Sequence, residues 1–260
     1  MALKQAKVFL ITSVKGGTGK TTTALNLAGM FQKRNLETLI IDLDVYGGSV
    51  AASLNLEYEN DLFDAMDDLN NNRFTLLDNY IVNYTNKLDV LPAPKDPRLA
   101  GKMSSKFLHV ILAKAKLKYD VIVIDTNYFL GDLNLIAMDA SDEILYMVTN
   151  DPMDLKNMRS MVSIYSDMDK ENYKVILNDS VSKLKNYFTT YDMKHIMNHS
   201  INYTIPSSFY IRNIEKYVME GKILTLDKKI CASHKKAITN FDKIVDALLH
   251  DKKRSKTMDK

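Results

Sequence analysis

The stretch from Lys7 to Thr23, KVFLITSVKGGTGKTTT, constrains the fold more than any other part of the chain. Seven residues suited to a buried strand run into Gly16, Gly17 and Gly19, and then into Lys20, Thr21 and Thr22 at the head of a helix-forming segment. Glycines let a backbone turn tightly enough for successive N–H groups to converge, and the helix N-terminus adds partial positive charge at the same point. Strand, glycine loop, lysine and helix in that order form a cradle for phosphate. The usual spacing of such a loop places one more glycine where this chain has Val14, and a second lysine, Lys15, stands beside it.

The rest of the chain supports the fold class this loop requires. Apolar runs at 7–13, 38–44, 88–93, 120–126, 143–150, 173–179 and 201–206 read as strands, several without polar interruption, as strands covered on both faces do. Helices are expected at 20–34, 104–118, 132–140, 152–168, 189–198, 207–220 and 234–250. Asp151-Pro152 serves as cap and first turn of one, and Gly221 as the stop of another. The alternation predicts an α/β fold, a doubly wound and mostly parallel sheet with helices on both faces and ligands beyond the carboxyl ends of the strands. One domain is expected over 1–250, followed by a basic tail, 251–260, with five basic and two acidic residues. The polar segment 57–87 is expected to hold short helices, because Leu62, Phe63, Met66 and Leu69 recur at helical spacing.

Composition excludes several classes. A chain of 260 residues, 46% hydrophobic and 26% charged, can bury a full core, and no apolar run approaches the length of a membrane span. A soluble cytoplasmic protein is therefore expected. Cys231 is the only cysteine, which removes disulfides and Cys-x-x-Cys metal or cluster pairs, and it is read as a core filler. The net charge of +3 equals that of the tail, so the body carries no excess that would by itself argue for nucleic acid.

The chemistry concentrates on a few side chains. The nucleotide set is Lys15, Gly16, Gly17, Thr18, Gly19, Lys20, Thr21 and Thr22. Lys20 would neutralise β- and γ-phosphates, and Thr21 would ligate Mg²⁺. The full form of the loop, KGGTGKTT, resembles the deviant phosphate loop of the MinD/ParA family of ATPases. That resemblance implies that Lys15 reaches the nucleotide of a second subunit in an ATP-sandwiched dimer, so that dimerisation and hydrolysis are coupled. "IIDLDVYGG" is similar to the family's Asp-x-Asp stretch, with Asp42 and Asp44. The resemblance implies that Asp44 orients or activates the attacking water and stands with Thr21 and Asp125 among the residues of the Mg²⁺ site. "VIVIDT" carries Asp125 at the Walker B position, which would hold Mg²⁺ through a water. Many family members have proline after that aspartate, whereas this chain continues TNYFLGDLN, which implies slow or partner-dependent hydrolysis. Asn178 matches the adenine-contacting asparagine, and Pro206 the proline loop on the other side of the base. The expected cofactors are ATP and Mg²⁺.

Within the family the chain most resembles the CpaE/TadZ type, through DLDVYGGSVAASLNL, LDVLPAPKDPRLA and LGDLNLIAMDASDEILYMVTNDPMDLKNMR. This implies a homodimer that works with proteins of a Tad/Flp pilus secretion apparatus, recruited to a cell pole or to the inner membrane face. Larger members carry an N-terminal receiver-like domain, which is not expected here because the loop begins almost at the start. Two alternatives stay open. One is a ParA-type partition ATPase that binds DNA nonspecifically. The other is a MinD-type membrane-associated ATPase, for which the stripe Ala237, Ile238, Phe241, Ile244, Val245, Leu248 and Leu249 and the tail would form an anchor. Packing on the sheet explains the same stripe and is preferred. Leu155, Met158, Val162 and Tyr165 are read as core, with Met161 and Met168 widening that stripe toward a partner. Tyrosine autokinases with a similar loop end in a tyrosine cluster, and no tyrosine follows Tyr217.

Overall fold

The strand that feeds the glycine loop, β1 (Lys7–Ser13), is apolar along most of its length because both of its faces are covered. Val8 and Leu10 enter one core layer and Phe9 and Ile11 the other. The same alternation recurs in β5 (Val121–Thr126), where Ile122 and Ile124 face one way and Val121 and Val123 the other. The structure is a computed structural model that describes residues 6–181 and 187–250.

The remaining strands are β2 (Thr38–Leu43), β3 (Val82–Thr85), β4 (Leu88–Leu91), β6 (Glu143–Val148), β7 (Tyr173–Asn178) and β8 (Tyr203–Ile205). All eight form one sheet in the order β3-β4-β2-β5-β1-β6-β7-β8, parallel except for the β3–β4 pair at one edge. β1 lies between β5 and β6, where the chain changes its direction of winding, and the loop after it opens at the carboxyl ends of the strands.

Helices α1 (Lys20–Lys33), α2 (Ser49–Ser53), α9 (Lys228–Ser233) and α10 (Lys235–His250) contribute to the core layer on one face. On the other lie α3 (Leu62–Asn70), α4 (Leu108–Lys118), α5 (Asp132–Asp139), α6 (Pro152–Asp167) and α7 (Thr190–Met197). The stripe of α10 is spent on packing, since Ala237, Phe241, Ile244, Val245 and Leu248 are all buried. Leu155, Met158, Val162 and Tyr165 are buried as well, whereas Met168 is exposed.

Some expectations need correction. The run 207–220 is not one helix: a turn at Ser207–Phe209 seats Phe209 against Phe241, the chain extends at Tyr210, and α8 starts only at Ile214 and ends at Met219. Gly221 follows with φ +61, and a Cβ there would lie 2.3 Å from the Leu54 carbonyl oxygen, so only glycine fits. The segment 57–87 contains α3 and a turn at Leu77–Tyr80, as its spacing suggested, but also the edge strand β3. Cys231 is not a core filler: it is half-buried, its Sγ receiving a hydrogen bond from Lys33 Nζ (3.1 Å) and donating to the Thr225 carbonyl (3.1 Å). The basic tail lies outside the described residues.

Candidate nucleotide site

Between β1 and α1 the chain turns through Gly17 at φ +76 and Gly19 at φ +88, the second being the residue that precedes the helix. A Cβ at Gly19 would also stand 2.4 Å from Asn178 Nδ2. Val14 explains the missing first glycine: its side chain packs half-buried against the core layer that holds Tyr146 and Leu155, so this end of the loop is anchored by an apolar contact. Thr18 is fully buried, and among the described residues its hydroxyl has no hydrogen-bond partner.

The two lysines occupy different surroundings. Lys20 Nζ donates to Ser13 Oγ (3.0 Å), and that hydroxyl donates to the Lys15 carbonyl (2.5 Å). Burial lowers the Lys20 pKa, opposed by the charges of Asp125, Asp44 and Asp154. Lys15 instead sits at the rim, where its ammonium forms an ion pair with Asp151 Oδ1 (3.1 Å). Asp151 caps α6 by accepting the N–H groups of Met153 and Asp154, and Pro152 occupies the first turn. Asp154 is itself fully buried, accepts from the Thr149 N–H (2.7 Å) and hydroxyl (2.8 Å), and is held above the usual carboxylate range by burial.

On the other side of the loop, three aspartates come from two neighbouring strand ends. Asp42 and Asp125 are in register on β2 and β5 and both are fully buried. Asp42 accepts the N–H groups of Asp44 (3.0 Å) and Val50 (2.9 Å), and so shapes the loop that presents Asp44. Burial and the charge of Asp125 push its pKa well up. Asp44 is half-buried, and its carbonyl accepts from the N–H groups of Gly47 and Gly48. Asp125 Oδ2 accepts from Thr21 Oγ1 (2.6 Å), while among the described residues its Oδ1 has no partner. Burial raises its pKa to about 7, against the hydrogen bond from Thr21 and the charge of Lys20.

This donor set fits Mg²⁺ and a polyphosphate. A hydroxyl and a carboxylate oxygen already in contact, with a second carboxylate oxygen buried and unsatisfied, are hard oxygen ligands of the kind magnesium takes. Asn178, at the end of β7, pairs with Ile205, so Pro206 follows directly on the neighbouring strand end. The Asn178 side chain also donates to the Thr18 carbonyl (2.9 Å) and accepts from Ser180, a brace on the loop that the sequence did not disclose. Thr22 lies in the first turn of α1, where its carbonyl accepts from Asn26 Nδ2 (2.7 Å). The structure thus gathers Gly16 to Thr22, Asp44, Asp125, Asn178 and Pro206 at one end of the sheet. Asp42, Asp151 and Asp154 join them as supports that tertiary folding reveals.

A family model described as an AAA domain matches residues 6–178. The chain belongs to the MinD/ParA family of P-loop ATPases. It is 27% identical over 227 residues to a virulence plasmid ParA family protein of Chlamydia psittaci, a match covering 84% of this chain and 79% of that protein. It is 33% identical over 147 residues to the chromosome partitioning protein ParA of Myxococcus xanthus, covering 54% of this chain and 50% of that one. The septum site-determining protein MinD of Pyrococcus horikoshii, complexed with Mg-ADP, superposes with a TM-score of 0.75 at 20% identity, over 94% of this chain and 96% of that one. At that identity the likeness concerns the fold alone. No helix among the described residues is long and apolar enough to cross a membrane.

Proposed function

We propose that this ATPase is a dimerisation switch whose ATP-bound pair positions a cargo and whose hydrolysis releases it. The observation that carries this reading is the division of labour between the two lysines. Lys20 lies inside the cradle, bonded to Ser13, where it would meet the phosphates of its own nucleotide. Lys15 stands at the rim on a surface ion pair, available to a second subunit. A cation supplied by the partner stabilises charge on the transferring phosphoryl group only in the assembled dimer.

Thr21 and Asp125 would hold Mg²⁺, the carboxylate through a water, and Asp44 would orient the attacking water. When bound, the ion neutralises charge on the β- and γ-phosphates. Thr21 would exchange its hydrogen bond to Asp125 for the metal, and Asp42 would keep Asp44 in place by holding the backbone N–H groups on either side of its loop. Asn178 and Pro206 would flank the adenine.

For the cargo, the three long stretches named above favour an envelope machine of the Tad/Flp pilus type. A DNA cargo is the second reading, favoured by the names of the partition relatives and by the region 207–250. That region carries eight basic against five acidic side chains, with Lys222, Lys228 and Lys229 around a groove of about 360 Å³. The test is DNA binding by the Asp44→Ala protein with ATP and with ADP, at low and near-physiological salt. The pilus reading predicts no ATP-dependent binding. Binding that requires ATP and weakens steeply with salt would replace it with the partition reading.

A further inference from the structure

The loop after Asp125, where this chain lacks the proline of many relatives, ends up against the lysine loop. Tyr128 is 58% exposed, yet its ring lies 3.8 Å from where a Cβ of Gly16 would stand. With Ser13, Val14 and Leu130 it lines a cleft of about 210 Å³, to which Tyr146 and Met161 of α6 also contribute. An exposed aromatic ring gains little by leaning on a glycine unless the backbone holds it there.

That backbone is held. Asn127 Oδ1 accepts the Phe129 N–H (2.9 Å) and one N–H of Asn134 Nδ2 (2.8 Å), and the same amide donates to the Phe129 carbonyl (2.6 Å). Asn134 is buried in α5, and Thr126 Oγ1 donates to the Ile11 carbonyl (2.9 Å) in β1. The chain from Asp125 to Phe129 is therefore pinned at both ends, with Tyr128 projecting from it. The Lys15 side chain itself is held by the ion pair with Asp151, an exposed contact that contributes little by itself, while the backbone of its loop is tied through the Ser13 hydroxyl and the packing of Val14.

We infer that Tyr128 is a positioning residue for Lys15: it braces the lysine loop against the strand end that carries Asp125, so that events at Asp125 set how far Lys15 projects toward a partner. This rests on the dimer reading above. Thr21 leaving Asp125 Oδ2 alters the contacts of the same strand end that leads, three residues on, into the ring against Gly16. A loop misplaced by about 1 Å can cost as much as roughly 10²-fold in rate, so the brace acts on kcat and leaves nucleotide affinity alone.

The test uses three variants of the full chain, none of which disturbs the core because the side chain is exposed. Tyr128→Ala should lower the kcat of dimer-dependent ATP hydrolysis by about 10-fold or more with KM for ATP within about 2-fold. Tyr128→Phe should restore it, since among the described residues the phenol makes no hydrogen bond. The chain has no tryptophan, so Tyr128→Trp places a single indole against Gly16, and its emission should change on addition of Mg-ATP. Wild-type turnover in Tyr128→Ala, or an indole emission unmoved by Mg-ATP, would overturn the inference while leaving the dimer reading intact. A wild-type protein that neither dimerises nor turns over with ATP would overturn both.

Discussion

Lys15 and Lys20 belong to the same loop, and their surroundings separate their chemistry. Lys20 is bonded within the fold, so replacing it should abolish nucleotide binding, whereas Lys15→Ala should keep ATP affinity and lose partner-stimulated hydrolysis. Titration calorimetry with a turnover assay checks both, and full turnover in Lys15→Ala would sink the role in trans. Asp125 makes a separate prediction. Its pKa of about 7 lies above the ~3.9 of an unfolded aspartate, so between these values the folded protein holds a proton that the unfolded chain has lost. Stability must therefore fall as pH rises from about 4 to about 7, and this contribution levels off above. Thermal melts of the nucleotide-free protein in chelator should show that slope, and Asp125→Asn should make it shallower, removing the share of Asp125 and easing the pressure on Asp42, whose own burial keeps the remainder. The sequence placed Asp42 and Asp44 at the end of the second strand, and the resemblance set Asp44 toward the attacking water, but neither gave Asp42 a task. Only the fold shows that Asp42 is spent on the backbone of Asp44 and Val50 while Asp44 stays half-exposed.

At the level of elements, the strands were legible because buried parallel strands are apolar on both faces, and the loop–helix junction because glycine and lysine have few other reasons to stand at that spacing. The edge strand β3, VNYT, was not, since half of its surroundings are solvent and its pattern is polar. Nor was α2, a helix of five residues that depends on the left-handed turn at Gly48 (φ +58). The break within 207–220 comes from the seating of Phe209 on Phe241, a tertiary contact that no local signal carries. α10 had two explanations in sequence, a membrane-surface helix or a packed one, and burial decides between them. Phe241→Ala should cost about 3–5 kcal/mol in urea unfolding, as removal of a buried aromatic does, and a loss under 1 kcal/mol would reopen the membrane reading.

For the whole molecule, the family and fold were legible in one loop and the rhythm of its strands, but the ion pair of Lys15 with Asp151 and the ring of Tyr128 on Gly16 were not, because each joins segments more than a hundred residues apart. The cargo is the least legible part, since it depends on surface charge and shape, which periodicity does not encode. In the proposed switch, ATP makes two copies into one unit. Light scattering of the Asp44→Ala protein, which should bind ATP without turning it over, measures this directly. Twice the monomer mass is expected with Mg-ATP and the monomer mass with Mg-ADP. A monomer in both, at protein and nucleotide concentrations that saturate binding, would contradict it.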